Sequence, residues 1–353
     1  MSRIKINQLL NAETPVENIL IKGWVRTKRD TKTFSFLEIN DGSCLKNLQV
    51  IVDDTLPNYG ETKQLTTGSA VSIHGNLVHS KGKGQSWELT ATAVEVVSLA
   101  PEEYPLQKKR HTDEYLRTIA HLRPRTNKYG AAFRIRSELA YAIHLFFKER
   151  GFRYIHTPIL TGSDCEGAGE LFKVTAFDLN ELPLKDGSPD YSRDFFGKEA
   201  NLTVSGQLAV EMFALSLGDV YTFGPTFRAE NSNTRRHVAE FWMVEPEMAF
   251  CDLQGNMDLG EEMIRFLTTY IMDACQEDIA LFSKFVDKNL MKTLTSIVES
   301  DFVRLPYTEA VDILKTASAS FEFDVDFGRD LQSEHERYLT EKHFKKPVIV
   351  YDY

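Results

Sequence analysis

The chain has no apolar run long enough to cross a bilayer, which excludes an ordinary transmembrane helix. Its four cysteines, Cys44, Cys165, Cys251 and Cys275, stand far apart and form no CxxC pair. That spacing excludes a disulfide framework or a cysteine zinc site and suits a reducing compartment. There is no H-E-x-x-H run, and the group of His335, Glu334 and Glu336, with His343 further on, lacks metal-ligand spacing. Positive charge is in deficit, with 41 Lys and Arg against 51 Asp and Glu for a formal net charge of −10. Such a balance excludes indiscriminate coating of nucleic acid but leaves room for a local basic face. Neither a secretory signal nor a lipidation motif is evident, so a cytoplasmic location without membrane attachment is expected.

What is present is an ordinary globular composition, 353 residues with 42% hydrophobic and 26% charged, enough for two domains and a sizeable core. The cations are concentrated. Residues 21–32 hold Lys22, Arg26, Lys28, Arg29 and Lys32 against Asp30 alone, and residues 101–136 hold nine Lys and Arg against four acids. A partner meeting the N-terminal part and the middle of the chain is expected from that distribution.

From Ile19 to about Leu99 the pattern is all-β: five strand-like runs broken by DGS, LPNYG and SKGKGQ. Five short strands in this length predict a small Greek-key barrel of the OB type, so residues 1–100 are read as one domain. Phe34, Phe36, Arg26, Arg29 and Gln49 have the chemistry of a single-strand-binding face. The alternative is that both phenylalanines are barrel core and both arginines a solvated edge. Residues 101–130 carry Pro101, Pro105 and Pro124 and read as a hinge whose cations either follow an RNA backbone or are simply solvated. Apolar residues at Ile135, Leu139, Ile143, Phe146 and Phe147 predict a helix over 131–150, stopped by Gly151 and followed by a strand to Pro158. Residues 178–200 read as a long loop. SGQLAVEMFALSLG (205–218) predicts a helix capped by Ser205, with Leu208, Met212 and Leu215 toward the core and Gln207 above Glu211 on an adjacent face.

Tyr221–Phe250 is the densest stretch. It predicts two strands around a charged loop, with Thr222, Thr226, Arg228 and Glu230 on one face of the first strand and Phe241, Met243, Glu245 and Glu247 on one face of the second. Carboxylates beside an Arg/Arg/His loop imply either a structural ion-pair network or a polar ligand. Helices are expected over 251–300 and at TEAVDILK, and a closing strand at VIVYDY.

FRAE, a basic loop and EFWMVEPE resemble motif 2 of the class II aminoacyl-tRNA synthetases, and RAENSNTRRHVAEF resembles the asparaginyl enzymes of the aspartyl, asparaginyl and lysyl subgroup. GWVRTKRD, FLEINDGS and LQV are similar to the anticodon-binding barrel of that subgroup, HLRPRTN to its hinge, and the helix–Gly151–strand–Pro158 unit to motif 1, which implies a homodimer interface in 131–160. DLQSEHERYL resembles a run bordering the active site. The resemblance implies an N-terminal OB barrel plus an α+β catalytic domain over 131–353, an antiparallel sheet with flanking helices. It implies ATP-dependent ligation of asparagine to tRNA(Asn) through an adenylate.

It also implies roles. Arg228 holds the ATP α-phosphate and is the catalytic cation; Glu230 accepts from the adenine amino group, Phe241 stacks on adenine, and Arg236 and His237 meet the γ-phosphate end. Glu166, Gln207, Glu211 and Glu245 bind the amino acid. Arg26, Arg29, Phe36 and Gln49 bind the anticodon, Phe36 by stacking and Gln49 by reading the central uridine. In aspartyl enzymes a lysine occupies the position of Val210; Val210 with Glu211 favours an amide over a carboxylate. No GxGxxR run is present, and the acids expected to bind Mg2+ lie beyond Tyr353 in the resembled family. The chain is therefore expected to be truncated and poor at activating asparagine. A non-catalytic tRNA-binding remnant and an aspartyl enzyme are the alternatives.

Overall fold

The structure, a computed structural model, describes residues 2–82, 84–165, 170–231 and 237–353. They form two compact units: Met1–Glu138 with Ala274–Met291, and Leu139–Asp273 with Lys292–Tyr353. Within the stretch 131–353 read from sequence as the catalytic domain, Ala274–Met291 packs with the N-terminal unit.

In the first unit α1 (Ile6–Leu10) leads into β1 (Val16–Asp30), β2 (Phe34–Asn40) and β3 (Leu48–Asp53). A short α2 (Tyr59–Thr62) precedes β4 (Ala70–His79) and β5 (Trp87–Ser98). The strands close into a barrel in the order β1-β2-β3-β5-β4, the expected OB arrangement. β1 serves two neighbours, β4 with its first part and β2 with its last, and a register shift between Val25 and Thr27 marks the bend between them. Gly23 sits at that crossover, where a Cβ would stand 2.8 Å from the Asn40 carbonyl oxygen. The period-two alternation decides the inside. Ile21, Leu37, Ile39, Leu48, Val50, Ile73 and Leu89 are buried in one core. Ser35, Leu37 and Ile39 point inward, so Phe34, Phe36 and Glu38 are left half-exposed on the outer face of β2. The phenylalanines are therefore not barrel core.

The hinge has structure of its own. α3 (Asp113–Thr118) is capped by the Thr112 hydroxyl, which accepts the Tyr115 N–H at 3.2 Å. Tyr104, Leu106 and Leu116 form a small separate core. α4 (Asn127–Glu149) begins earlier than the predicted 131, because Thr126 supplies both the starting carbonyl, to Gly130 N at 2.8 Å, and a hydroxyl facing the Tyr129 N–H at 3.4 Å.

In the second unit β6 (Arg153–Tyr154) is much shorter than the strand expected to reach Pro158. β7 (Leu160–Thr161) and β8 (Lys173–Val174) flank β11 (Ala200–Leu202) in a sheet of order β7-β11-β8. Between them lies a hairpin in the region read as a loop, β9 (Leu184–Lys185) and β10 (Ser188–Pro189). Its Asp186-Gly187 turn has φ of 54° and 81°, the conformation that two-residue hairpins require. α5 (Gln207–Leu217), β12 (Asp219–Phe227) and β13 (Glu240–Met248) follow, and β12 joins β13 antiparallel and β6 parallel.

α6 (Leu253–Ala274) follows in this unit, and α7 (Gln276–Phe285) belongs to the first unit, where Asp278 receives a bidentate Arg134 from α4 (Nε at 2.9 Å, Nη2 at 2.6 Å). α8 (Leu290–Glu299), β14 (Val303–Pro306), α9 (Tyr307–Lys315), α10 (Ser333–Arg337) and β15 (Val348–Tyr351) complete the chain, with β14 and β15 paired in parallel. All four cysteines are free thiols, and burial, followed by the nearby Asp278, pushes Cys275 up to about 11. No helix among the described residues is long and apolar enough to cross a membrane.

The helix at 207–217 corrects two expectations. Gly206, not Ser205, is its N-cap. Its core side is Val210 and Ala214, packed with Val220 and Ile155, whereas Leu208 (47%), Met212 (64%) and Leu215 (88%) are exposed. Three leucine-like residues at helical spacing identify an apolar stripe, but Ala and Val make the closer approach to the sheet, and the larger residues lie outside it.

Candidate functional site

The β12–β13 hairpin has two unlike faces. Tyr221 and Phe223 turn to the helices, where the Tyr221 ring stacks on Phe147 at 4.3 Å and its hydroxyl meets His144 Nδ1 at 2.8 Å. The opposite face pairs Thr222 with Glu245 and Thr226 with Phe241. Both threonines are buried, so this face floors a polar recess instead of facing open solvent.

α5 starts against that floor. The Glu245 carboxylate accepts the Ser205 hydroxyl and the Gly206 N–H (3.0 Å), placing a negative charge at the N-terminal end of α5. The Ser205 hydroxyl in turn accepts the Gln207 N–H at 3.1 Å. Ser205 thus stabilises the helix start through its contact with Glu245. Gly206 has no room for a side chain: a Cβ would meet Thr157 Oγ1 at 2.5 Å and Thr222 Cγ2 at 2.9 Å. One turn on, Gln207 Nε2 donates to Glu211 Oε1 at 3.0 Å, and the Cys165 thiol approaches Gln207 Oε1 at 3.9 Å. The third acid here, Glu247, has its carboxyl raised above the ordinary range by burial first and then by Glu211 and Glu245. The sequence resemblance gives Glu247 a structural role; its place beside Glu211 comes from the tertiary packing.

At the other end of the hairpin, Arg228 donates its backbone N–H to Ala239 (3.0 Å), Ala229 to Glu170 (3.1 Å), and Phe227 to Thr203 (2.8 Å). The Arg228 guanidinium lies over the Phe241 ring at 5.3 Å. His237 Nε2 stands 3.9 Å from Glu230 Oε2, too far for a hydrogen bond. Among the described residues, Arg228 Nε, Glu230 Oε2 and His237 Nε2 are all buried without a hydrogen-bond partner. Buried polar atoms are normally satisfied, and three such exceptions on one hairpin mark a place for a polar ligand. Glu166 and Arg236 lie outside the described residues. Among the described residues no group of three or more His, Cys, Asp and Glu side chains is arranged to hold a metal ion.

The barrel carries a second polar surface. Cross-strand register places Thr27, Glu38, Gln49 and Glu88 in one row and Arg29 and Phe36 in the next. The Arg29 guanidinium covers the Phe36 ring at 4.7 Å, and Phe34 meets Phe36 edge-on at 4.9 Å. Thr27 Oγ1 donates to Glu38 at 2.8 Å, and Gln49 Nε2 to Glu88 at 3.4 Å. Phe36 and Gln49 are thus brought together. Arg26 is engaged elsewhere: its guanidinium donates to the Arg125 carbonyl and to Asn127 Oδ1 (3.0 Å), tying the barrel to its hinge. Alongside runs a groove of about 1150 Å3 whose rim includes Trp24, Tyr104, Lys108, Lys109, Arg110 and Arg125.

Comparison with known proteins agrees with this geometry. Residues 112–353 match the tRNA synthetases class II (D, K and N), and residues 19–97 match the OB-fold nucleic acid binding domain. The asparagine–tRNA ligase of Oleidesulfovibrio alaskensis is 59% identical over 354 aligned residues, covering 100% of this chain and 77% of that protein. The chain belongs to the asparaginyl-tRNA synthetase family. The synthetase of Nostoc sp. is 55% identical, with 99% of this chain and 76% of that one covered. Among solved structures, the asparaginyl-tRNA synthetase of Pyrococcus horikoshii complexed with asparaginyl-adenylate has a TM-score of 0.83 at 28% identity, over 99% of this chain and 74% of that one. Within this family residues 112–353 are a class II synthetase domain and residues 19–97 an OB-fold nucleic acid binding domain, as the resemblance implies.

Proposed function

We propose that the chain is an asparagine–tRNA ligase, joining L-asparagine to tRNA(Asn) at the expense of ATP. Identity of 55–59% over essentially the full chain supports the reaction and favours asparagine over aspartate. The observation that carries the reading of the pocket is the trio of buried atoms left unsatisfied among the described residues, Arg228 Nε, Glu230 Oε2 and His237 Nε2, beside Phe241. These supply what ATP requires: a planar cation for phosphate oxygens, an acceptor for the adenine amino group and a ring for stacking. Arg236 completes the phosphate end of this reading.

The substrate carboxylate attacks the α-phosphorus directly, so no side-chain nucleophile is needed. Arg228 acts by offsetting the charge that builds on the phosphoryl oxygens, and the pocket acts by alignment. Gln207, Glu211, Glu245 and Glu166 bind asparagine. Glu211 has one oxygen engaged by Gln207 and one left to accept from the side-chain NH2 of the substrate. The same carboxylate repels aspartate. Mg2+ accompanies ATP in enzymes of this kind, but the described residues offer no complete metal site, and no step is assigned to it. Phe36, Arg29 and Gln49 meet the anticodon by stacking, charge and base-edge hydrogen bonds. Arg26 acts there through the hinge it holds, and the cations of the adjoining groove follow the phosphate backbone. The enzyme works in the cytoplasm as a homodimer through the 131–160 region.

The deciding experiment is tRNA charging with asparagine and then aspartate, in the wild type and in Glu211→Gln. Wild-type charging is expected with asparagine alone, at the low rate that the sequence reading expects of this chain, and the variant should lose selectivity between the two amino acids while its KM for ATP changes little. Charging with aspartate by the wild type, or equal losses in asparagine and ATP use by the variant, contradicts the assignment.

A further inference from the structure

The loop between β2 and β3 carries a cation, Lys46, that neither the pocket nor the base-contacting residues of the barrel use. One residue staples the backbone of this loop. Asn40 Nδ2 donates to the Cys44 and Lys46 carbonyls at 3.2 and 3.0 Å, and Asn40 Oδ1 accepts the Gly42 N–H at 2.9 Å. Asp41 fastens the same loop to α1 by accepting the Ile6 N–H and Arg3 Nη2, each at 3.0 Å. Lys46 is thus held at its backbone, while its side chain is 66% exposed and free to swing. In the structure that side chain forms an ion pair with Glu277, in the first turn of α7, which is 45% exposed.

Two ion pairs of unlike strength hold α7. The bidentate contact of Arg134 with the nearly buried Asp278 is costly to break. The Lys46–Glu277 pair lies open to water, where such pairs are weak and screened by salt, so it can be exchanged for another. The loop also adjoins the polar row of the barrel. Asn47 Nδ2 approaches Glu38 at 3.5 Å, and Glu38 stands between Thr27 and Gln49 in the strand register. Lys46 is three residues from Gln49, at most ~10 Å of chain. That is about one Debye length at physiological salt, so a phosphate on this face acts on the Lys46 ammonium. On its other side α7 follows α6 after Cys275, and α6 follows β13 of the pocket hairpin.

We propose that Lys46 is an exchangeable latch: Glu277 of α7 holds it when the barrel is empty, and an RNA phosphate takes it when the barrel is occupied, which releases the first turn of α7 from the barrel. The proposal rests on the reading of the barrel as the anticodon face. Glu277 and the phosphate are both anions and compete for one ammonium. Asp278 keeps α7 on α4 throughout, so only the Glu277 end is freed. Coupling of this kind is reciprocal: if RNA opens the latch, removing the latch must strengthen RNA binding by the same factor. The helix that follows the pocket strand in the chain thereby registers whether the barrel holds RNA.

The test is a double-mutant cycle on RNA binding, using the chain as it stands and an anticodon stem-loop RNA with U at the central position. Affinity is read by fluorescence anisotropy over a series of salt concentrations, and folding of each variant is checked by thermal denaturation. Glu277→Gln keeps the side-chain shape and frees Lys46; it should tighten RNA binding about two- to fivefold, the range of an exposed ion pair. Lys46→Ala should weaken binding and lower the slope of log affinity against log salt by about 0.7, one single-strand phosphate contact. In the Lys46→Ala background, Glu277→Gln should then change affinity little, because the competitor has nothing left to compete for. If Glu277→Gln tightens binding equally in both backgrounds, Glu277 acts only through its long-range charge and the latch is refuted. If Lys46→Ala leaves affinity and salt slope unchanged, no phosphate reaches Lys46 and the latch is refuted while the anticodon reading stands. If the wild type does not bind the stem-loop, the anticodon reading fails and the proposal with it.

Discussion

Removal of the Glu245 carboxylate should separate the two roles this residue combines. It accepts two hydrogen bonds, from the Ser205 hydroxyl and from the Gly206 N–H at 3.0 Å, at the N-terminal end of α5. Hydrogen bonds to a charged group contribute about 1.5–3 kcal/mol each, and a carboxylate at a helix N-terminus adds about 0.3–1 kcal/mol. Because the partners of Glu245 are only partly buried and regain some water, Glu245→Ala should cost about 3–5 kcal/mol of stability. Glu245→Gln, which keeps one acceptor, should cost about 1–2 kcal/mol. Equilibrium urea unfolding of Glu245→Ala, Ser205→Ala and the double variant gives the coupling energy, expected at about 1.5–3 kcal/mol since both single changes break the same bond. Hydrogen exchange at the Gly206 amide adds a local reading, and its protection should fall in Glu245→Ala. The KM for asparagine should rise more than that for ATP, because Gln207 and Glu211 sit one turn along the same helix. A cost below about 1 kcal/mol with unchanged Gly206 protection would refute the clamp and leave Glu245 to the substrate alone.

Three further outcomes can be measured. Asp278→Asn leaves Arg134 without its charge partner and should destabilise the chain by about 3–5 kcal/mol in urea unfolding; replacing both residues by apolar ones should cost far less. Glu247 has a folded-state pKa raised above its ordinary 4.5, so its contribution to stability is full below that value and is lost as pH rises through the raised one. Glu247→Gln should therefore melt above the wild type at pH 7 and lose this advantage toward pH 4.5; a pH-independent difference contradicts the sign. Arg26→Ala removes two charged donor contacts to the hinge and should lower the protection of hinge amides near Asn127 in hydrogen exchange, with a cost of about 2–3 kcal/mol.

Alternation and punctuation determined much of this protein directly from its sequence. The five barrel strands follow from period-two burial and turn residues, because in a strand each residue's face is fixed by its neighbours. The two faces of Tyr221–Phe250 were legible for the same reason, and the chemistry of Arg228, Glu230, His237 and Phe241 was readable as a polar site. Packing decided the rest. Helical spacing identified an apolar stripe on α5 but could not say that Val210 and Ala214, and not Leu208, Met212 and Leu215, meet the sheet. Nor could it show Ser205 and Gly206 converging on Glu245, residues far apart in the chain joined by the α5–β13 approach. Phe36 faces outward because Leu37 and Ile39 complete the barrel interior. Glu88 was silent in the sequence: a single acid in a strand acquires meaning only when β3 and β5 pair and bring it against Gln49. Local rules fix which way a side chain points, whereas partners distant in sequence meet only through the closure of the fold.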